Sequence, residues 1–217
     1  SERMLDLVNQ GKGSELERGY AYGLVKYIQG GPMDAASAFR KVAERFPNDL
    51  QAAVFSAIFN RSGFDAIGEP TPDQIASEKQ LRALITKYPD SPIPLHALLL
   101  IRAEAPDLSD SLEDAKKLVQ MVPNYPPYFH LLGHYQWRCG EHGKAASAFD
   151  RACTLYENWR EENKVSIADS ADWIKSECYR IVALSSKGDF ETSYAASRRV
   201  SEIEIPKNRP GSAGARM

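Results

Sequence analysis

The sequence has little cysteine, no long apolar run and no excess of either charge, and each of these shortages excludes a class of protein. Its three cysteines are an odd number and too few for a disulfide framework in a chain of this size, and because none belongs to a Cys-x-x-Cys pair, no zinc ribbon is expected. The longest apolar stretch, Ile93 to Ile101, is interrupted by Pro94 and His96 and is too short to span a bilayer. The 27 basic and 29 acidic residues give a net charge of −2, whereas nucleic-acid-binding proteins are usually basic. We therefore expect no nucleic-acid partner and no membrane span.

Catalytic and targeting motifs are also missing. The sequence contains no Gly-rich phosphate loop, no Gly-x-Ser-x-Gly elbow and no Cys/His pair in a recognisable context. No apolar run follows a basic start, so no signal peptide is expected. A cytoplasmic location is favoured, and export stays open because an upstream segment could precede Ser1. The three cysteines are expected to be free thiols that pack as small apolar side chains.

Two distant segments of the chain are nearly identical, which indicates an internal repeat. The segment from Asp34 to Phe39 reads Asp-Ala-Ala-Ser-Ala-Phe, and the segment from Lys144 to Phe149 reads Lys-Ala-Ala-Ser-Ala-Phe. The two segments are 110 residues apart. The same separation relates two glycine pairs, Gly23 with Gly133 and Gly30 with Gly140.

Prolines divide the interval between these segments into regular units. Pro47, Pro89 and Pro123 each close an apolar run of helical period, and they are 42 and 34 residues apart. A further 34 residues reach Glu157, where the fourth unit is expected to end. The pattern predicts 34-residue helical hairpins, of which the second carries eight extra residues in the loop from Arg61 to Pro70.

The predicted organisation is one repeat domain over residues 1–205, followed by a flexible tail at 206–217. The repeats are expected at about 16–49, 50–91, 92–125 and 126–159, with an atypical capping helix pair at 165–205. Their helical hairpins are expected near 16–46, 49–88, 93–122, 126–158 and 167–204. One additional helix is expected near residues 2–10.

The fourth unit resembles a tetratricopeptide repeat. The residues that carry this resemblance are Phe129, Leu132-Gly133, Gly140, Ala145, Phe149 and Ala152. The resemblance implies an all-α fold, a right-handed α-solenoid of antiparallel helix hairpins. It also implies that the first helix of each hairpin lines a concave groove, which holds a peptide or a partner protein.

Alignment of the repeats places a set of aromatic and imidazole side chains on one strip of that groove. Aromatic side chains commonly anchor protein interfaces, so the strip predicts a site for a partner protein or peptide. The alternative for the aromatics is plain packing between repeats. The predicted partner-binding residues are Tyr20, Tyr27, His96, His130, His134 and Trp137.

Other functions remain open beside this non-enzymatic interpretation, which requires no cofactor and no metal. His130 and His134 are spaced i, i+4 on one helix face, and His96 aligns with His130 on the adjacent first helix. Three such imidazoles could bind Zn²⁺, which would make the chain a metal- or small-molecule-binding protein or a hydrolase. No Glu directly follows His130, as a metalloprotease helix would require. A third alternative is that the repeats are the oligomerisation arm of a larger protein.

Overall fold

The computed structural model describes residues 2–210 (at residues 2, 4 and 5, the backbone only), and helices joined by loops make up this part of the chain. It has no β-strand; a single isolated bridge joins Phe64 and Pro70. The all-α prediction is confirmed, and so is the arrangement in helical hairpins. The helices are α1 Glu2–Asn9, α2 Glu15–Gly30, α3 Pro32–Arg45, α4 Leu50–Asn60, α5 Pro72–Lys87, α6 Pro92–Arg102, α7 Ser109–Met121, α8 Pro126–Arg138, α9 His142–Glu162, α10 Ala171–Ser186 and α11 Phe190–Ser201.

The helices belong to two compact units, Ser1–Pro106 and Asp107–Met217. In the first unit, each helix from α1 to α5 packs on the next helix in sequence, and α4 also packs on α6. In the second unit, α7 to α11 follow the same rule, and α8 also packs on α10. The boundary falls between α6 and α7, inside the predicted third repeat at 92–125.

Short polar and proline signals start the helices. Ser14 forms a capping box with Glu17, and the Thr71 hydroxyl accepts a hydrogen bond from the backbone N–H of Gln74. Proline occupies the first turn where its missing N–H costs no helical hydrogen bond. This occurs in four helices, at Pro32, Pro72, Pro92 and Pro126.

Glycine allows the two helices of a hairpin to approach closely. A Cβ atom built on Gly133 of α8 would lie 2.8 Å from the ring of Phe149 on α9. In the first unit, a Cβ on Gly23 of α2 would lie 2.7 Å from the ring of Phe39 on α3. Both rings are fully buried, so neither can move aside without disturbing the core. The repeat therefore places the same glycine–phenylalanine contact in both units.

Helix α9 is longer than the repeat predicts. The repeat pattern places the end of the fourth hairpin near residue 158, but α9 continues to Glu162. It has 21 residues, whereas α3, its counterpart in the first repeat, has 14. Pro47 follows the end of α3, while the matching position is Glu157, which does not interrupt a helix. The missing proline therefore explains the extra turns.

The last helix pair also differs from its predicted bounds. The pattern predicts that its first helix begins at residue 167, but a short 3₁₀ turn spans Ile167–Asp169 and α10 begins at Ala171. Of the predicted flexible tail, residues 206–210 are described, and the remainder lies outside the described residues. Within that short segment, Arg209 forms an ion pair with Asp169 at 3.3 Å.

A buried carboxylate joins α10 to α11. Glu177 is 1% exposed, accepts two hydrogen bonds from Arg180 at 2.7 Å and accepts another from Arg199 of α11. Burial alone would raise the pKa of Glu177, but the hydrogen bonds and charges of the two arginines outweigh it and lower the pKa. Glu177 is therefore ionised and links the last helix to α10.

The structure also bears on the eight extra residues and on the cysteines. The loop from Arg61 to Pro70 connects α4 to α5, and Asp65 Oδ1 accepts hydrogen bonds from two backbone N–H groups within it. All three cysteines are free, which confirms the prediction. Burial raises the pKa of each thiol, so all three are protonated at neutral pH.

The close contact at Gly133 predicts that adding one methyl group there destabilises the fold. Gly133→Ala should lower the free energy of unfolding by about 1–3 kcal/mol, because the new Cβ overlaps a ring that cannot move. Urea denaturation followed by circular dichroism measures this change. The matched control is Gly143→Ala in α9, where a new Cβ meets nothing within 4 Å. That variant should be as stable as wild type or slightly more stable. Equal stability of both variants would contradict the proposed contact.

Candidate recognition site

In the first unit, the predicted site residues of α2 form a stripe along one helix face. Tyr20, Leu24 and Tyr27 are spaced i, i+4 and i+7, so they lie on the same side of α2. The Tyr20 hydroxyl donates a hydrogen bond to Oδ1 of Asp49, which precedes α4. Burial raises the pKa of Tyr20, and this hydrogen bond raises it further. The Tyr27 ring lies 5.0 Å from the ring of Phe59 on α4 and remains 48% exposed. Helix α4 therefore covers the stripe at Tyr20, whereas Tyr27 is still exposed to solvent over about half of its surface.

His96 belongs to the same unit but lies on α6. It is half-buried, and its neighbours in the sequence, Leu95 and Ala97, are both buried. Burial lowers the pKa of His96 to about 4, so the imidazole is neutral at physiological pH.

In the second unit, the repeat places His130, His134 and Trp137 on the equivalent stripe of α8. All three are half-buried, and all three contact α10. The Tyr179 ring lies 5.1 Å from His130 and 6.0 Å from His134. Trp137 Nε1 donates to the Ser186 hydroxyl at 3.0 Å. The first helix of the following hairpin therefore packs on this stripe.

The hydrogen bonds of His130 determine which of its ring nitrogens carries the proton. Ser176 Oγ donates its only proton to the carbonyl of Asp172 at 2.8 Å. Because Nδ1 of His130 lies 2.9 Å from the same oxygen, Nδ1 must be the donor. The pKa of His130 is lowered to about 4 by burial, with smaller contributions from Lys175 and His134. His130 is therefore a neutral imidazole that leaves Nε2 as an acceptor.

The two stripes have the same arrangement. In each, part of the stripe packs between repeats and part is exposed to solvent, so packing and partner binding, the two roles that the sequence left open, can coexist. Each stripe packs on the first helix of the next hairpin, α4 in one unit and α10 in the other. Tyr20, His130 and Trp137 take part in this packing, while Tyr27 presents half of its surface to solvent. Leu132, Ala145 and Phe149, which carry the resemblance to the repeat, are buried.

The structure distributes the predicted residues over three helices in two units, and it groups only Tyr20 with Tyr27 on α2 and His130, His134 and Trp137 on α8. Tyr20, Tyr27 and His96 belong to the first unit, and the stripe of α8 belongs to the second. Among residues 2–210, no three His, Cys, Asp or Glu side chains are grouped so that they could hold a metal ion. The zinc alternative on His96, His130 and His134 therefore finds no support in the described residues.

Beside the extra turns of α9 lies a cleft that repeat alignment did not predict. It has a volume of about 880 Å³ and is bounded by the start of α8, the C-terminal half of α9 and the start of α10. The signal in the sequence was the absence of a proline at Glu157, since this absence lengthens α9. Four aromatic side chains line the cleft: Tyr125, Tyr156, Trp159 and Trp173.

No helix of the described residues is long and apolar enough to cross a membrane. The sequence matches no protein-family model and no curated protein.

Solved structures with similar folds share little sequence with this chain. MamA of Desulfovibrio magneticus RS-1, from residue 41 to its end, is 15% identical with a TM-score of 0.63, over 88% of this chain and 95% of that one. A crystal structure of MamA protein is 16% identical with a TM-score of 0.60, over 86% of this chain and 90% of that one. TTC0263, a thermophilic TPR protein of Thermus thermophilus, is 15% identical with a TM-score of 0.51, over 87% of this chain and 100% of that one. These likenesses show the fold.

The neutral, half-buried histidines predict that mild acid destabilises the protein. The unfolded chain binds protons on His96 and His130 near pH 6.5, whereas the folded chain binds them only near pH 4. Protons therefore favour the unfolded state between these values, and stability should be full above about pH 6.5 and fall as the pH drops toward 4. Between pH 7 and pH 5, we expect a loss of about 1–2 kcal/mol for each histidine.

Urea denaturation at several pH values tests this prediction. His130→Gln keeps an amide donor for Ser176 but cannot gain a proton, so its stability should depend less on pH than that of wild type. A pH dependence equal to that of wild type in this variant would show that His130 does not titrate as described.

Proposed function

Because the chain has the tetratricopeptide-like helical repeat fold, we propose that it is a non-enzymatic scaffold that binds a partner protein or peptide through the first helices of its hairpins. The finer proposal assigns the contact surface to the stripes of α2 and α8. The fold alone does not name the partner, since similar repeats serve many binding functions. The support comes from the surface of these two helices.

The observation that carries the proposal is the apolar surface of α2. Leu24 and Tyr27 are both more than one-third exposed, although they lie beside the buried contact of Gly23 with Phe39. Tyr27 also rests against Phe59, so its ring is held in place before a partner arrives. A rigid aromatic side chain loses little conformational entropy on binding, which suits it as an anchor for an apolar side chain of the partner.

The stripe of α8 offers a different chemistry at the equivalent positions. His130 Nδ1 already donates to Ser176, so Nε2 is available to accept a hydrogen bond from a partner N–H. Trp137 is fixed by Ser186 and offers only its remaining exposed edge. On this proposal, α2 supplies apolar anchors, and α8 supplies a polar acceptor beside a partly exposed indole.

The test begins with capture of partners on the full chain from an extract of the source cells, followed by identification and direct titration by calorimetry. Tyr27→Ala should weaken binding of the identified partner by about 2 kcal/mol, or about 30-fold, because it removes an exposed anchor. The helical circular dichroism signal should stay unchanged, since Tyr27 is half exposed.

The matched control is Tyr194→Ala, which removes an equally large exposed ring from α11, outside both stripes. It should bind the partner as wild type does. If Tyr27→Ala and a second stripe variant, Leu24→Ser, both bind every identified partner as tightly as wild type, the stripe of α2 is not the contact surface.

A further inference from the structure

The cleft beside α9 has a composition that points to a particular kind of ligand. Tyr125 and Trp159 line it and are 46% and 51% exposed, which is unusual for such large rings. The Tyr125 ring is supported by the edge of Tyr128, with centroids 4.6 Å apart. Aromatic-lined grooves of this kind bind proline rings of extended peptides, because these peptides are already rigid and expose flat apolar surfaces.

The charged groups of the cleft favour a cationic ligand. Among the described residues that line it, three are carboxylates, Glu162, Asp169 and Asp172, and one is a cation, Arg151. The guanidinium of Arg151 is already engaged, since it donates to Asn124 Oδ1 at 3.4 Å and lies over the ring of Phe129. The excess of negative charge would attract a basic segment and repel an acidic one.

The chain itself shows that the cleft accepts this chemistry. Arg209 lies with Nη1 3.3 Å from Asp169 Oδ1, and the adjacent Pro210 lines the cleft. A basic residue followed by proline is thus seated at one rim. The volume of about 880 Å³ is far larger than one proline ring, so room remains for a longer segment.

We propose that this cleft is a second docking site, independent of the two stripes, which binds a basic, proline-containing extended segment of a partner protein. The aromatic rings contact the prolines, and the carboxylates of Asp169 and Asp172 pair with its basic side chains. The chain's own Arg209-Pro210 occupies one end of the site and competes with the partner there.

Fluorescence anisotropy of a labelled peptide tests the proposal on the full chain. The probe is the peptide APRPPRPA, and the charge control is APEPPEPA. The probe should bind in the micromolar range and more weakly as ionic strength rises, and the acidic control should bind at least roughly tenfold more weakly. Trp159→Ala should weaken probe binding roughly tenfold, whereas Tyr194→Ala should bind as wild type. Because Trp159 is half exposed, its replacement is compatible with an intact fold.

A second variant keeps the test decisive if the chain's own arginine blocks the probe. Arg209→Ser frees the Asp169 carboxylate, so this variant should bind the probe at least as tightly as wild type. Failure of the probe to bind both wild type and Arg209→Ser would overturn the proposal. Equal binding of the basic and acidic peptides would overturn it as well. Neither result bears on Tyr27 and the stripe of α2, whose test uses a different partner and different variants.

Discussion

The rest of the structure depends on how closely two helices approach at a glycine. At Gly133 and Gly23 the backbone of a first helix lies against a buried phenylalanine ring, with no space for even a methyl group. This contact fixes the depth at which each hairpin closes. It therefore also fixes which side of α2 and α8 is buried and which side is left for the next hairpin. Tyr27 and His130 lie on the side that is left for the next hairpin, where they meet Phe59 of α4 and Tyr179 of α10.

Most of the helical order could be predicted because glycine and proline act locally. Pro47 stops α3 and the Thr71-Pro72 pair starts α5 through backbone effects that need no tertiary contact. The end of α9 could not be predicted in this way, because the repeat period implied a stop at Glu157 that no residue there enforces. The start of the last helix pair was missed for a related reason. Residues 167–169 have helical character, but they form a 3₁₀ turn on the way to α10.

The candidate site was predictable in its positions but not in its environment. Repeat alignment placed Tyr27, His130 and Trp137 on equivalent faces, and the structure shows them there on α2 and α8. The coverage of these faces depends on the tilt and side chains of α4 and α10, which a periodic pattern does not contain. The neutral state of His130 likewise arises from its burial, with a smaller contribution from Lys175 on α10, 45 residues away in the sequence. The cleft was missed because it is built from a departure from the repeat rather than from the repeat itself.

The ion pairs of Glu177 have a consequence for how the chain unfolds. In a linear array of repeats the terminal helix has only one neighbour, so it would ordinarily fray before the rest. Opening α11 here would remove Arg199 from a carboxylate that is 1% exposed and leave that charge only partly neutralised in an apolar setting of Cys153 and Ile174. Fraying of the last helix therefore carries an electrostatic penalty within α10. The C-terminal end of the array is thereby made part of one cooperative unit with its neighbours, and shortening the chain before Arg199 would weaken α10 as well.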